Sequence, residues 1–206
     1  MSEVEGAAEL GLNFTDSEGD SAKTLRVDLG RVNARVKRLA ADQSDDIARR
    51  LAKEDVQVVT GRGVLDGPGR VVVGDTTYDA DAVLVATGAA PRTLPTAQPD
   101  GERILTWEQV YDLTEVPSEL IVVGSGVTGA EFASAYLALG IPVTLVSSRD
   151  RVLPGEDADA SLVLEEVSTR RGMTVLSKSR MESVTRDGDV VTVTLTDGRS
   201  VQGSHC

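Results

Sequence analysis

The residues of clearest chemical interest are three glycines, Gly124, Gly126 and Gly129, which follow the apolar segment ELIVV and precede a run of small residues. In a strand-to-helix connection, the first glycine allows a tight turn, the second lets the backbone approach a diphosphate, and the third lets the helix pack on the sheet. The free N–H groups at the helix start favour an anion there. The pattern predicts a dinucleotide-binding phosphate loop, against the alternative of a purely structural glycine turn. The predicted loop consists of Gly124, Ser125, Gly126, Val127, Thr128 and Gly129.

The residues after the next apolar segment, VTLV, bear on which dinucleotide is bound. An enzyme that prefers NAD usually carries an acidic residue there, which accepts hydrogen bonds from the ribose 2′-hydroxyl. This chain has Ser147, Ser148, Arg149 and Arg151 instead. Two hydroxyls and a bidentate arginine suit a 2′-phosphate, so the sequence favours NADP(H) over NAD(H). The alternative is that both arginines are solvated loop charges, with Asp150 between them.

Glu131 lies one turn into the helix that the glycines begin. A carboxylate at this place is favoured by the helix dipole in any protein. It is also placed to contact the nicotinamide end of a bound cofactor. The sequence leaves both interpretations open.

The elements that must position these residues alternate in type along the second half of the chain. Apolar runs and helical periodicity predict a β-α-β-α-β order, followed by a hairpin in DVVTVTLTDGRSVQG. This order is that of a doubly wound, Rossmann-type α/β domain. The predicted ranges are strands at 120–123, 143–146 and 173–176 and helices at 127–139 and 160–171. Ahead of them, Thr106 and Gln109 have the spacing of a capping box for a short helix.

The first half of the chain has a different pattern. Residues 1–24 are acidic and lack a period, so we expect loop there, and residues 29–51 predict two helices with the second capped at Ser44. Short β-signals in 56–78 predict a small meander. The continuous apolar run in 81–92 predicts a strand buried on both faces that ends at a glycine turn. We place a domain boundary near residue 100, which gives domains of 1–100 and 101–206.

Composition restricts the class of protein and its partners. The chain has 33 acidic and 21 basic residues and a formal charge of -12, which argues against nucleic-acid or membrane-surface partners and favours small molecules. No apolar run reaches the roughly 20 residues of a membrane-spanning helix. The N-terminus lacks the features of a signal peptide, so we expect a cytoplasmic location.

Catalytic side chains are scarce in this sequence. Its single cysteine and single histidine are Cys206 and His205, at the very end. A disulfide, a Cys-x-x-Cys redox pair and a thiolate metal site are therefore not expected within this chain. We assign no catalytic and no metal-binding residue, and conclude that either a cofactor performs the chemistry or the chain performs none.

Four segments in a fixed order carry a resemblance to a known family. They are VATGAAPR, VVGSGVTGAEFA, VTLVSSRDRVLPGEDADAS and VTLTDGRSVQG, to which GLNF and VQVVTGRG can be added. In this order they resemble the pyridine nucleotide-disulfide oxidoreductases, flavoproteins that include dihydrolipoamide dehydrogenase, glutathione reductase, soluble transhydrogenase and NAD(P)H quinone reductases. The resemblance implies an FAD-binding fold with an inserted NAD(P)-binding fold, and hydride transfer from NAD(P)H to flavin and on to a quinone or disulfide.

The resemblance also implies roles for individual residues. The loop from Gly124 to Gly129 corresponds to the NAD(P)H phosphate loop, and Glu131 to a residue near the nicotinamide. Residues implied to flank FAD are Gly61, Ala86, Thr87 and Gly88. The SSRDR segment is most similar to the NADPH-using quinone reductases.

The same resemblance implies that the chain is an internal fragment with both nucleotide-binding folds incomplete. Relatives begin with their own FAD fingerprint and a helix with the redox cysteine pair, and end in a dimerisation domain through which they form homodimers. The alternative function is therefore a truncated, non-catalytic dinucleotide-binding remnant. A short-chain dehydrogenase is excluded because its Tyr-x-x-x-Lys pair is missing: Tyr136 is followed by Gly140.

Overall fold

The computed structural model describes residues 10–16 and 23–206. The chain divides into two compact units. One comprises Met1–Arg35 and Pro91–Cys206, and the other comprises Val36–Ala90.

The centre of the first unit is a parallel sheet of strands β6 (Leu120–Val123), β7 (Val143–Val146) and β8 (Thr174–Leu176), in the order β6-β7-β8. Helix α3 (Val127–Ala138) connects β6 to β7, and helix α4 (Ala158–Arg170) connects β7 to β8. The predicted Rossmann-type β-α-β-α-β order is confirmed, with boundaries within two residues of those expected.

Alternate residues of the parallel strands belong to two different cores. Leu120, Val143 and Leu145 pack with Ala130 and Ala133 of α3. Ile121 and Val146 pack instead with residues of a second, antiparallel sheet. Since successive strand side chains point to opposite faces, both faces of the parallel sheet are covered. This double burial explains why the predicted strands read as continuous apolar runs.

The antiparallel sheet consists of β9 (Met181–Asp187), β10 (Val190–Leu195) and β11 (Ser200–Gly203), in the order β11-β10-β9. The predicted hairpin is β10 and β11, whereas β9 was not expected from the sequence. After β11 the chain runs parallel to the start of β6, where His205 pairs with Leu120. The N–H of Ile121 donates to the carbonyl of His205 at 2.9 Å.

A short helix, α2 (Trp107–Val110), lies ahead of β6. The side chain of Thr106 accepts a hydrogen bond from the N–H of Gln109, and the Gln109 side chain accepts one from the N–H of Thr106. The predicted capping box is therefore confirmed.

The beginning of the chain differs from expectation. Strands β1 (Leu12–Asp16) and β2 (Lys23–Val27) form an antiparallel hairpin where only loop was expected up to residue 24, although 1–9 and 17–22 lie outside the described residues. A single helix, α1 (Leu29–Lys53), replaces the two predicted ones. Asp46 pairs with Arg50 at 2.9 Å one turn further along, so the acidic cluster supports the helix instead of starting a new one.

The second unit contains the later part of α1 and a three-stranded antiparallel sheet. Its strands are β3 (Gly63–Leu65), β4 (Arg70–Val73) and β5 (Thr76–Asp79), which confirm the predicted meander. The strand expected in 81–92 is not formed, and residues 81–90 are all exposed, Leu84 at 90% and Val85 at 62%. An apolar run becomes a buried strand only when another strand pairs with it and its faces are covered. No described strand pairs with this segment.

Candidate functional site

The glycine loop lies where β6 ends and α3 begins, at the carboxyl edge of the parallel sheet. Gly124 has a φ of 115°, a conformation that side-chain-bearing residues rarely adopt, and its N–H donates to the carbonyl of Val146 at 2.9 Å. The turn out of β6 thus depends on this glycine. Ligands of open α/β sheets bind at this carboxyl edge.

Gly126 and Gly129 differ in the space around them. A β-carbon at Gly129 would lie 1.9 Å from the carbonyl oxygen of Gly124, so only glycine allows α3 to start this close to the turn. A β-carbon at Gly126 would meet nothing within 4 Å. The second glycine is therefore not required by packing within the chain. Open space over its backbone suits the close approach of a ligand.

The first turn of α3 has the features of an anion-binding helix start. Its N-cap, Gly126, provides no side-chain hydrogen bond, and the turn contains no acidic residue. Val127 and Thr128 are exposed. Free backbone N–H groups and the positive end of the helix dipole therefore face the solvent beside the open space at Gly126. The geometry fits the diphosphate of a dinucleotide.

The loop after β7 lies against the glycine loop. The hydroxyls of Ser125 and Ser147 are 2.6 Å apart, and the N–H of Leu153 donates to the carbonyl of Ser125 at 2.8 Å. The structure thereby brings together the two segments that the sequence predicted to bind one cofactor. Ser148 and Arg149 are exposed, whereas the Ser147 side chain is fully buried.

Arg151 and Glu131 occupy contrasting surroundings. A guanidinium nitrogen of Arg151 is 3.6 Å from a carboxylate oxygen of Asp150, and its buried Nε has no hydrogen-bond partner in the described part of the chain. Glu131 is exposed on α3, just past the glycine loop. Its carboxylate is therefore accessible to a ligand held by the loop.

The four residues assigned to FAD lie in the second unit. Gly61, Ala86, Thr87 and Gly88 are exposed and belong to no helix or strand. No hydrogen bond between described residues involves 86–88. No helix start or paired strand end of the described chain lies at any of the four.

A cleft of about 550 Å³ opens beside the glycine loop in the first unit. One wall consists of Gly124 and residues 126–129, and Trp107 and Phe132 lie in its lining. Sequence reasoning missed this cleft. The position of Phe132 directly after Glu131 is the one sequence feature that pointed towards an apolar wall beside the loop. The spacing of the residues does not indicate that α2 comes close to the loop.

His205 and its neighbours lie at the opposite end of β6. Burial lowers the pKa of the His205 imidazole, with a further contribution from the guanidinium groups of Arg103 and Arg186. Its Nδ1 is 2.9 Å from the hydroxyl of Ser204. Because His205 pairs with the first residue of β6 and the glycine loop follows the last, this histidine takes no part in the site.

Two further features concern metals and membranes. In residues 10–16 and 23–206, no group of histidine, cysteine and acidic side chains is arranged to hold a metal ion. Over the same residues, no helix combines the length and apolar character needed to cross a bilayer.

Comparison with known proteins gives matches over nearly the whole chain. A family model described as pyridine nucleotide-disulphide oxidoreductase matches residues 10–206. The NAD(P)H dehydrogenase (quinone) of Mycobacterium tuberculosis H37Rv is 54% identical over 214 residues, covering 98% of this chain and 42% of that protein. The dihydrolipoyl dehydrogenase of Zymomonas mobilis is 33% identical over 170 residues, covering 80% of this chain and 36% of that protein.

A solved structure is also similar. The crystal structure of LpdA from Mycobacterium tuberculosis superimposes with a TM-score of 0.78 at 55% identity, covering 87% of this chain and 42% of that one. The chain thus spans less than half the length of these relatives.

Proposed function

Because the chain belongs to the pyridine nucleotide-disulphide oxidoreductase family, we propose that the protein is an FAD-dependent NAD(P)H oxidoreductase with a quinone or disulfide as electron acceptor. When bound, the reduced nicotinamide supplies a hydride, which such enzymes pass to the flavin and on to the acceptor. The relatives that carry a quinone or a dihydrolipoyl substrate in their names support this class of reaction.

The observation that carries the proposal is the backbone geometry at the start of α3. The turn at Gly124 and the open space at Gly126 lie beside a first helical turn whose N–H donors have no side-chain cap. Charge-assisted hydrogen bonds to these donors hold a diphosphate. In this proposal Ser125, Val127, Thr128 and Gly129 complete the loop.

We propose that the nucleotide is NADPH rather than NADH. Ser148 and Arg149 are exposed on the loop after β7. No described carboxylate is within ion-pair distance of Arg149, so its guanidinium is available for a 2′-phosphate. Arg151 contributes less in this proposal because Asp150 lies 3.6 Å from it. On the nicotinamide side, Glu131 is the proposed contact.

A quinone is the favoured acceptor. The quinone-dehydrogenase relative is 54% identical to the chain, against 33% for the dihydrolipoyl dehydrogenase. Residues Gly61, Ala86, Thr87 and Gly88 are the proposed neighbours of FAD.

The first experiment is calorimetric titration of the chain with NADPH and NADH, with FAD-supplemented assays of quinone reduction on the same preparation. NADPH binding accompanied by turnover supports the full proposal. Nucleotide binding by a colourless, inactive protein supports the alternative of a non-catalytic dinucleotide-binding module. Absence of binding of both nucleotides to folded protein contradicts the proposal.

A matched pair of arginine variants tests the nucleotide preference. Arg149→Gln is expected to weaken NADPH binding about tenfold, since one ion pair with a phosphate is worth about 1.4 kcal/mol, and to leave NADH unchanged. Arg170→Gln removes the same charge from the last turn of α4 and is expected to change neither affinity. Equal effects of the two variants would refute the assignment of Arg149.

A further inference from the structure

We propose that the hydroxyl pair of Ser125 and Ser147 is a positioning device that fixes the phosphate loop against the loop after β7, and that Ser147 is not itself a ligand of the nucleotide. This inference rests on the proposed function. It changes the role expected for Ser147. Ser148 and Arg149 are then the residues that distinguish NADPH from NADH through the 2′-phosphate.

Both hydroxyls of the pair are buried. Ser125 is 5% exposed and Ser147 is 0% exposed, and their hydroxyl oxygens are 2.6 Å apart. Ser147 Oγ also accepts a hydrogen bond from the N–H of Arg149 at 3.1 Å. A ligand can reach this hydroxyl only if the pair opens, which costs the buried hydrogen bond between the two hydroxyls.

Backbone contacts make the same connection independently of the serine side chains. The carbonyl of Ser125 accepts the N–H of Leu153, which joins the two loops, and the carbonyl of Ser147 accepts the N–H of Ser179 at 2.7 Å, which holds the loop after β7 against the segment that follows β8. Leu153 has a φ of 50°. Non-glycine residues keep this conformation only where surrounding contacts hold them there. The two loops therefore form one hydrogen-bonded unit, in which the serine hydroxyls are the buried side-chain contribution.

Such coupling matters because the phosphate loop has no rigid side-chain cap of its own. The N-cap of α3 is Gly126, without a side-chain hydrogen bond. Satisfied buried polar networks restrict conformation, and backbone donors must be held close to their productive positions to bind well. Loss of the pair is therefore expected to loosen the donors for the diphosphate, which NADPH and NADH have in common.

The test measures the affinities of both nucleotides for Ser147→Ala, Ser125→Ala and the double variant, using the full chain. Each single variant is expected to weaken NADPH and NADH by the same factor, about three- to tenfold, so that their ratio stays constant. In the double variant the losses are expected to be less than multiplicative, because the second substitution removes a hydroxyl whose contact with the other is already lost. Ser148→Ala and Arg149→Gln are the contrasting variants, expected to weaken NADPH alone.

Several results would overturn the inference. A loss confined to NADPH in Ser147→Ala would make that hydroxyl a direct ligand, and unchanged affinities in both single variants would show that the pair positions nothing. If Ser147→Ala does not fold, Ser125→Ala asks the same question from the other side. Wild-type protein that binds neither nucleotide would instead refute the proposed function and this inference together.

Discussion

Replacing Gly126 by alanine separates the role of the glycine loop in ligand binding from its role in folding. Gly126 has φ -69° and ψ -177°, which alanine adopts without strain, and the added methyl would contact nothing within 4 Å. Because alanine has less backbone freedom than glycine in the unfolded chain, the substitution stabilises the folded variant by ~0.4–1 kcal/mol. Alanine is a poorer N-cap than glycine by about 0.5–1 kcal/mol, so the free energy of unfolding is expected to change little.

The effect of the same methyl group on the bound state is expected to be larger. In the proposed binding mode, the methyl group occupies the open space through which the diphosphate reaches the backbone of the loop. Displacement of the diphosphate lengthens its hydrogen bonds to the backbone N–H groups of α3, and one charge-assisted bond is worth about 1.5–3 kcal/mol. The expected loss of NADPH affinity is therefore about 10- to 100-fold.

Gly129→Ala is the contrasting variant because its methyl group has no space. The β-carbon would lie 1.9 Å from the carbonyl oxygen of Gly124 and 2.9 Å from its carbonyl carbon. These are backbone atoms, which cannot rotate away as a side chain would. Overpacking costs about 1–3 kcal/mol and sometimes more, so this variant is expected to lose about 3 kcal/mol of unfolding free energy together with nucleotide binding.

The assay combines denaturant unfolding of each nucleotide-free variant, followed by circular dichroism, with calorimetric titration of NADPH. Gly63→Ala is the control. Gly63 lies in the second unit, and its added β-carbon would make only an ordinary 3.5 Å contact with Val71 of the same unit. Wild-type affinity of Gly126→Ala for NADPH would contradict the proposed approach of the diphosphate at Gly126. Wild-type stability of Gly129→Ala would contradict the packing role of Gly129.

Three further predictions concern the stability of the first unit. Asn33→Ala is expected to cost about 1–3 kcal/mol in chemical denaturation, because the buried Asn33 amide donates to two main-chain carbonyls near α2; an unchanged midpoint would contradict this. For Asp100, burial raises the pKa, but hydrogen bonds from three backbone N–H groups and from Arg186 outweigh it and hold the pKa well below its usual range. The ionised Asp100 carboxylate therefore stabilises the fold above pH ~4, its unfolded pKa, and this contribution is lost on acidification below that pH. In Asp100→Asn the free energy of unfolding is expected to fall less steeply as the pH is lowered below ~4. An unchanged pH dependence in this range would contradict the prediction. Tyr136→Phe is expected to raise stability by about 1 kcal/mol, because the Tyr136 hydroxyl is buried without a hydrogen-bond partner among the described residues, and burial raises its pKa to about 12; a clear loss of stability would show that the hydroxyl has a partner.

The sequence predicted the parallel sheet and its glycine loop well because their signals are local. β6 and β7 are short apolar runs with side chains in both cores, and the turn at Gly124 requires a residue without a side chain. The capping box at Thr106 is equally local, since both partners lie within four residues. Elements specified by their own residues could therefore be placed without knowledge of the tertiary fold.

Other features depend on neighbours that a sequence pattern does not identify. The apolar run in 81–90 has the composition of a buried strand, but no described strand pairs with it. Ser147 has the residue type expected of a phosphate ligand, yet its buried hydroxyl is paired with that of Ser125, which is distant in sequence and adjacent in space. Strand β9 is half exposed and partly polar, so its pairing with β10 could not be read from periodicity alone.

In the proposed function, backbone amides at the start of α3 bind the diphosphate of a nicotinamide dinucleotide. The most direct measurement is titration of the isotope-labelled chain with NADPH, followed through the amide chemical shifts of residues 124–129. Saturable shifts are expected there, with Gly188, in the turn between β9 and β10, unchanged. Saturable binding that leaves residues 124–129 unshifted would contradict it.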